Sequence, residues 1–522
     1  MNQTSKVNGA APWLILIILL GFCLRLTGLA WGQGYSHFAA VDSFEAYSFT
    51  VDYAVGEPRA QYIGQPNYNS HSKLPGPLWS LFCFVGQRFW GSIEGAIFAT
   101  ILLSTITIYL IYLLAERTLG PSCSLVAALL AATLPFPIYY SAFLYNPNVM
   151  PFLGALLFLA LWEVIRNDRS PRIFWVTLLL LIMPQFHLSV FSLLPAVVIL
   201  LAVSPARLNR PWLFGGLLAG ILFYVPYLRG EMANGWQNTR AMSSGKAGHW
   251  WGGLKSVIAP WNLLANYVPQ WTRSFAEYRE LGKACFGWFG VLLALNVLAG
   301  VLAIFLLAGA FLETRKAMGG LWRSPREAFK RSPGIVFLAV LVVVPLLCML
   351  LGRQSFHARY SIVLFAPLLS LAAYSVVKWS AHPRWGRCFM AAMIVMILGN
   401  IWFMPALYWY QGARIKRSDM FYASFRNLEI VYQQLETHAG ANQSVQVDDT
   451  AYWTVHPRSD TALGNTRLIR RYVDVREKEA IARSGTQPAP VTYTLYDADQ
   501  VAADNPAVAF RAHGIVLLHR AQ

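Results

Sequence analysis

The feature that most constrains this chain is a series of apolar runs, each near the length that crosses a bilayer as a helix. A helix needs about 17–25 apolar residues to span the hydrocarbon layer. The sequence holds about eleven such runs, at 12–31, 96–115, 122–141, 148–165, 173–184, 187–203, 211–229, 286–312, 333–351, 361–379 and 387–407. With 56% hydrophobic and only 13% charged residues, the chain is predicted to be α-class, with a polytopic helical membrane domain.

The stretch 173–203 decides the topology. It forms either two short helices broken near Pro184 or one long tilted helix, and the alternatives place everything downstream on opposite sides. With two helices, the short loops rich in Lys and Arg fall on one side of the membrane, except for the turn at 353–360. Such loops stay in the cytoplasm. The N-terminus is therefore predicted to lie on the cytoplasmic side of an inner (plasma) membrane. The segments 32–95, 230–285 and 408–522 are predicted to lie on its outer side.

A change of character along the chain predicts two domains. Residues 1–407 form the membrane domain, with large outer loops at 32–95 and 230–285. From Ser418, apolar positions at three- and four-residue steps predict a capped helix. Short β-type runs follow at Ser444–Val447, Val491–Leu495 and Gly514–Leu518. Residues 408–522 are thus predicted to form a small extracytoplasmic α/β domain.

Charge and motif content argue against several classes of function. The net charge is +17, but no stretch clusters lysines with aromatic residues as a nucleic-acid groove would, so no nucleic-acid partner is expected. The 6 cysteines are scattered without metal-ligand spacing. Nucleophile-elbow, zinc-protease, P-loop and dinucleotide-binding motifs are missing from the sequence as well. We therefore predict neither a metal nor an organic cofactor.

The first outer loop carries the acidic candidates. Asp42 and Glu45 are three residues apart and share a face if this segment is helical. A carboxylate at the lipid–water boundary can accept a proton from an attacking hydroxyl. Two alternatives stay open: a charged, solvated helix face, and a divalent-cation site, because hard cations prefer carboxylate oxygens.

The same loop carries a cation beside a rigid turn. Lys73 precedes Leu74-Pro75-Gly76-Pro77-Leu78-Trp79, and the two prolines delay the start of the next helix. Held at the membrane surface, its ammonium can neutralise a phosphate oxygen. An ordinary lysine that reaches towards the headgroups is the alternative. His71 either orients a substrate or is simply part of the loop.

A late outer turn breaks the positive-inside trend. Arg353, His357, Arg359 and Tyr360 cluster between two predicted spans. Two guanidinium groups there can clamp a phosphate, or they pair with lipid headgroups. The Trp-rich loop 230–285 is either an interfacial helix or a lid over a site that admits a lipid phosphate and a polar substrate.

Together these residues resemble the glycosyltransferase C superfamily, specifically the bacterial relatives of protein O-mannosyltransferases and of lipid A aminoarabinose transferase. The pattern is Arg25 near the outer end of the first span, Asp42 in the first loop, and the Lys73 element before the second span. An Arg359-Tyr360 start to a late span that continues to Pro367 completes it. The resemblance covers residues 12–407.

The resemblance implies a membrane enzyme that moves a sugar from a polyprenyl-phosphate donor to an extracytoplasmic lipid, glycan or protein acceptor. A single displacement would invert the anomeric carbon. Asp42 would be the base, and Lys73, Arg353, Arg359 and Tyr360 would contact the donor phosphate. Supporting positions are Glu45, His71, His357 and Arg25. The sequence departs from the family where Ser43 replaces a second acid and where Gly76 separates the two prolines.

A transporter or flippase of lipids or glycans is the alternative function. Transporters place paired charges or broken helices near the bilayer midplane. Here the charges gather at the predicted outer surface, and His187 is nearly the only exception. The distribution favours the transferase.

Overall fold

The computed structural model describes residues 10–31, 40–65, 72–243, 250–265, 275–318, 324–351, 358–415, 425–440, 443–448, 460–484, 489–497, 505, 507–512 and 515–519. The helices up to residue 243 are α1 (Ala11–Ala30), α2 (Ala40–Ala54), α3 (Leu78–Trp90), α4 (Glu94–Leu119), α5 (Pro121–Thr133), α6 (Pro135–Ser141), α7 (Met150–Arg166), α8 (Ile173–Ile182), α9 (Leu194–Val203), α10 (Arg210–Leu222), α11 (Val225–Ala233) and α12 (Gln237–Ser243). Those that follow are α13 (Trp250–Ala265), α14 (Phe275–Phe286), α15 (Phe289–Met318), α16 (Pro325–Arg331), α17 (Pro333–Leu351), α18 (Phe365–Ser380), α19 (Gly386–Ile415), α20 (Phe425–Ala439) and α21 (Asp460–Ser484). Short 3₁₀ segments lie at Asn146–Val149, Met183–Gln185, Leu188–Leu193 and Ala358–Leu364.

Long apolar helices dominate the described residues, and the predicted fold class is confirmed. Among these residues, 7 helices are long and apolar enough to cross a membrane, or up to 9 if each of two bent pairs counts as one span. One pair, α5 with α6, bends by 54°. Leu134 adopts an extended backbone there because Pro135 disfavours helix in the residue before it. The chain is a multi-pass membrane protein.

The stretch 173–203 is broken, as the first of the two alternatives required. Helix α8 passes into the 3₁₀ segment Met183–Gln185. His187 is extended, with φ −158° and ψ 134°, before a second 3₁₀ segment leads into α9. The two halves are the shorter apolar helices Ile173–Gln185 and Leu188–Val203. At about 1.5 Å per residue each is shorter than a bilayer core of about 30 Å.

The C-terminal region folds as the small α/β domain expected. Strands β1 (Gln443–Asp448), β2 (Ala489–Asp497), β3 (Val508–Ala512) and β4 (Ile515–His519) form one sheet in the order β1-β2-β4-β3. The β1–β2 pair is parallel and the other pairs are antiparallel. A parallel neighbour needs a long crossover, and α21 supplies it. The strands predicted at 444–447, 491–495 and 514–518 coincide with β1, β2 and β4, whereas β3 and α21 were not predicted.

Candidate active site

Helix α2 forms in the first outer loop because its apolar positions recur at helical spacing. Phe44, Tyr47 and Val51 are 3%, 2% and 1% exposed, and they form one buried face. The Ser43 hydroxyl donates a 2.7 Å hydrogen bond to the carbonyl of Leu144. This bond ties α2 to the turn before α7. Ser43, which stands where the family that the sequence resembles has a second acid, is therefore a buried anchor.

Lys73 lies where the segments 32–95 and 230–285 meet. Its backbone N–H donates to Asn238 Oδ1 at 2.6 Å, and its carbonyl accepts from Asn238 Nδ2 at 3.1 Å. Asn238 belongs to α12, so this pair of bonds joins the segments 32–95 and 230–285. The Lys73 ammonium lies 5.1 Å from the centroid of the Phe49 ring on α2. The structure thus brings the predicted phosphate contact to the helix that carries Asp42.

The environment of Lys73 lowers the pKa of its ammonium. Partial burial is the largest cause, and the neighbouring Arg59 guanidinium adds to it. The carboxylates of Glu45 and Asp52 act in the opposite direction. Desolvation strengthens the attraction of a cation for an anionic ligand, because less water competes with it. The setting suits an ammonium that faces a phosphate.

Gly76 is explained by the contacts of its turn. Its φ is +139°, in the range that favours glycine over residues with a Cβ. A Cβ at this position would also overlap the side-chain amide of Gln185, which is fully buried. The turn next to Lys73 therefore packs directly on the break between α8 and α9, and the glycine between the two prolines is a packing requirement.

Arg25 is buried inside the membrane domain, at 1% exposure. Its Nη2 donates to the Ala131 carbonyl at 2.9 Å, and Nη1 lies 3.5 Å from that of Ala132. These are among the last residues of α5, whose carbonyls have no partner within the helix. Further bonds go to Ser104 Oγ at 2.8 Å and to the Gly21 carbonyl at 2.9 Å. The guanidinium thus caps α5, where the helix dipole favours a cation.

The segment that opens the late span packs beside this cap. A small cavity of about 20 Å³ is bordered by Arg25, Asn148 and Ile362. Asn148 Oδ1 is buried and has no hydrogen-bond partner among the described residues. The 3₁₀ segment Ala358–Leu364 also contacts Asn146–Val149 and α13. The backbone that carries Arg359 and Tyr360 is therefore held against both α7 and the second outer loop.

Several predicted site residues lie outside the described part of the structure. Asp42 is described only as a position in α2, and Arg359 and Tyr360 only as positions in the 3₁₀ segment. Arg353, His357 and His71 are not among the described residues. The roles predicted for all of these residues stay predictions.

Glu45 meets a partner that the sequence did not reveal. It forms an ion pair with Arg471 of α21 at 3.0 Å. Among the described residues, no group of three or more His, Cys, Asp or Glu is placed to hold a metal ion, and the Asp42 side chain is outside that set. A cation at Asp42 and Glu45 would compete with the Arg471 guanidinium for the same carboxylate.

Helix α21 contacts α2 along its length. Lys478 pairs with Asp52 at 2.7 Å and with Glu57 at 2.8 Å, and Tyr472 stacks on Tyr47 with centroids 5.7 Å apart. The cations at 471 and 478 and the acids at 45 and 52 share a seven-residue spacing. This common spacing was the signal in the sequence for the contact between the two helices. It could be interpreted only with the knowledge that 460–484 is a helix.

The comparisons with known proteins agree with this architecture. The family model for dolichyl-phosphate-mannose-protein mannosyltransferase matches residues 78–229. The structure of ArnT from Cupriavidus metallidurans bound to undecaprenyl phosphate superposes with a TM-score of 0.58 at 13% identity, covering 98% of each chain. The chain has the glycosyltransferase C fold. The resemblance predicted from the sequence is confirmed.

Two further solved structures are similar to this chain. The apo form of the same ArnT superposes with a TM-score of 0.59 at 12% identity, again over 98% of each chain. The Archaeoglobus fulgidus oligosaccharyltransferase in its apo form gives a TM-score of 0.45 at 13% identity, covering 83% of this chain and 59% of that one. Among curated proteins, none matches the sequence significantly. The matched segment 78–229 contains neither Asp42, Lys73 nor Arg359.

Proposed function

We propose that this chain is a membrane glycosyltransferase that takes a sugar from a polyprenyl-phosphate donor. The acceptor is a lipid, glycan or protein group outside the cytoplasm, and the reaction inverts the anomeric carbon. The membrane is the cell inner membrane, with the active site and the C-terminal domain on its outer side. The positive-inside distribution of arginines supports this orientation.

The observation that carries the proposal is the position of Lys73 against α2. The ammonium lies over Phe49, and position 42 is two helical turns before Phe49, on the same side of an α-helix. Lys73 and the position of Asp42 thus lie at one helix face, which supports assigning the phosphate contact and the base to them. The fold match to ArnT, a protein solved with undecaprenyl phosphate, supports a lipid-phosphate donor there.

The chemistry follows from these two groups. The acceptor oxygen bonds to the anomeric carbon from the side opposite the phosphate, and the bond between that carbon and the phosphate oxygen breaks. The released polyprenyl phosphate gains charge, which Lys73 stabilises more strongly than it stabilises the intact donor. Arg353 and Arg359 are proposed to add to this cationic surface. Asp42 takes the acceptor proton as the new bond forms.

Replacement of Asp42 tests the proposal. Asp42→Asn keeps the size of the side chain and removes the base, so we expect transfer to fall by about 100-fold or more. The assay first identifies the product by mass spectrometry of envelope glycans with and without the gene, and then measures transfer in membrane vesicles. Full activity in Asp42→Asn would contradict the assignment of the base.

Glu45→Gln is the matched control, because the two acids are one turn apart. We expect a milder loss than in Asp42→Asn, and no inhibition by chelators, since Glu45 already pairs with Arg471. An equal loss together with chelator sensitivity would instead favour a divalent cation held by both acids. Movement of an intact lipid-linked sugar across vesicles without transfer would favour the flippase.

A further inference from the structure

A second cavity lies at the boundary between the first outer loop and the C-terminal domain. Its volume is about 450 Å³, within the range of about 300–1,000 Å³ typical of ligand pockets. The membrane domain contributes the end of α1, part of α2 and the turn from α3 to α4. The C-terminal domain contributes Glu429 of α20 and one face of α21. We call this space the boundary cavity.

The boundary cavity is separate from the surroundings of Lys73, which does not line it. Its contact with α2 is through Tyr47. Phe49, over which the Lys73 ammonium lies, is two residues further on, which is about 200° around an α-helix. Helix α2 therefore separates the cationic side, where the donor phosphate is proposed to bind, from the boundary cavity.

Carboxylates outnumber cations in the wall of this cavity. Among the described residues, Glu94, Glu429 and Glu479 line it, and Arg476 is the one cation. That arginine is already paired, at 3.0 Å with Glu429 and at 2.8 Å with Glu479. A phosphate group carries about −1.5 to −2 charges at neutral pH. The wall would repel it and would attract hydroxyl or ammonium donors.

The hydrogen bonds in the wall leave one acceptor oxygen without a partner among the described residues. Gln87 Nε2 donates to Glu479 Oε1 at 3.2 Å. This bond turns the amide oxygen, Gln87 Oε1, away from Glu479. Gln87 Oε1 is buried and has no partner among the described residues. Unpaired buried acceptors are costly, so a rotation of this amide that let a ligand hydroxyl donate to the oxygen would be favourable.

An aromatic side chain completes the wall. Trp90 lines the cavity and is 55% exposed. An indole face can stack on the C–H side of a sugar ring, while carboxylate and amide oxygens accept from its hydroxyls. We propose that the boundary cavity binds a sugar ring of the acceptor that carries no phosphate, at a distance from the reacting hydroxyl. This proposal rests on the proposed function, because the bound sugar is an acceptor only if the chain is a glycosyltransferase.

A binding experiment without donor tests the ligand class directly. The full-length protein in nanodiscs is titrated with glucose, glucosamine and glucose 6-phosphate, and binding is followed by saturation-transfer NMR. We expect glucose and glucosamine to bind, and glucose 6-phosphate to bind roughly tenfold more weakly because of like-charge repulsion. Equal binding of glucose 6-phosphate, or no binding of either uncharged or amino sugar, would overturn the proposal.

Variants locate the site. Trp90→Ala and Gln87→Leu should each weaken glucosamine binding, whereas Phe89→Ala should not, because Phe89 is 90% exposed and does not line the cavity. Trp90→Ala changes an exposed position, so it keeps the test valid if Gln87→Leu folds poorly. Unchanged binding in Trp90→Ala would place the sugar elsewhere and overturn the proposal.

Kinetics then separates this proposal from the proposed function. In the transfer assay, Trp90→Ala should raise the acceptor KM several-fold and leave kcat unchanged, since the contact is the same in the ground and transition states. An unchanged KM would contradict an acceptor role for the bound sugar. Loss or retention of transfer in Asp42→Asn bears only on the proposed function, because sugar binding is measured without donor.

Discussion

Replacing Arg25 by methionine should destabilise the membrane domain, and the cost can be worked from its contacts. Three of its hydrogen bonds are 2.8 or 2.9 Å long, to Ser104, Gly21 and Ala131. Hydrogen bonds within membrane proteins contribute about 0.6 kcal/mol on average, and bonds to charged groups in proteins about 1.5–3 kcal/mol. An intermediate value of about 1 kcal/mol per bond gives about 3 kcal/mol for Arg25→Met.

That loss is large enough to measure. It would change the ratio of folded to unfolded protein by about 150-fold, since 1.4 kcal/mol is a factor of ten. The measurement is reversible unfolding in mixed micelles with increasing denaturing detergent. Arg117→Met is the matched control, because Arg117 pairs with Glu163 at 2.9 Å with side chains 42% and 33% exposed. Such a surface pair should contribute less than about 1 kcal/mol.

A capping role and a role in donor binding predict different results for substitutions of Arg25. If the guanidinium caps α5, Arg25→Lys should recover part of the stability, because an ammonium keeps the charge at the helix end. If Arg25 instead contacts the donor, Arg25→Met should fold normally and lose donor binding. Unfolding of Arg25→Met that matches the native protein, together with weaker binding of undecaprenyl phosphate, would refute the cap.

Three further predictions follow from particular residues. Burial lowers the pKa of Lys73, so the rate of transfer should begin to fall at a lower pH than it would with an ordinary lysine. Lys73→Arg should move this alkaline limb of the pH–rate profile to higher pH, because a guanidinium stays charged. If the limb does not move, the titrating group is a different residue. Gly76→Ala should cost about 2–3 kcal/mol of unfolding free energy, from backbone strain and from overlap with Gln185. Gly91→Ala should cost only about 1 kcal/mol, because its φ is +80° but nothing lies within 4 Å of the added carbon. Equal losses of unfolding free energy in the two variants would show that the overlap at Gly76 is relieved by a small shift of Gln185. Reporter fusions after Ala206 and after Gln522 should report opposite sides of the membrane, because the arginine-rich short loops stay inside, and the same side for both would mean an error of one span.

The sequence by itself determined the membrane class, the approximate helix positions and three of the four strands. In lipid, the backbone N–H and C=O groups must form their hydrogen bonds within the helix itself. The length and hydrophobic pattern of each segment therefore suffice to predict a span. Pro184 also marked a real break in the chain, whereas the break at Pro135, inside the predicted run 122–141, became visible only in the structure. The order of Arg25, Asp42, Lys73 and Arg359 was enough to indicate the glycosyltransferase C fold.

Only the tertiary structure decided what these residues touch. Arg25 was predicted only as a supporting residue, and the structure shows that it caps α5, more than a hundred residues away in sequence. Gly76 was read as a departure from the family, although the packing of Gln185 requires it. Asn238, which holds Lys73 in place, carried no signal in the sequence. The pairing of Arg471 with Glu45 could be inferred from the spacing only once 460–484 was known to be a helix. Such contacts depend on how distant segments meet, and neither composition nor periodicity encodes the distance between them.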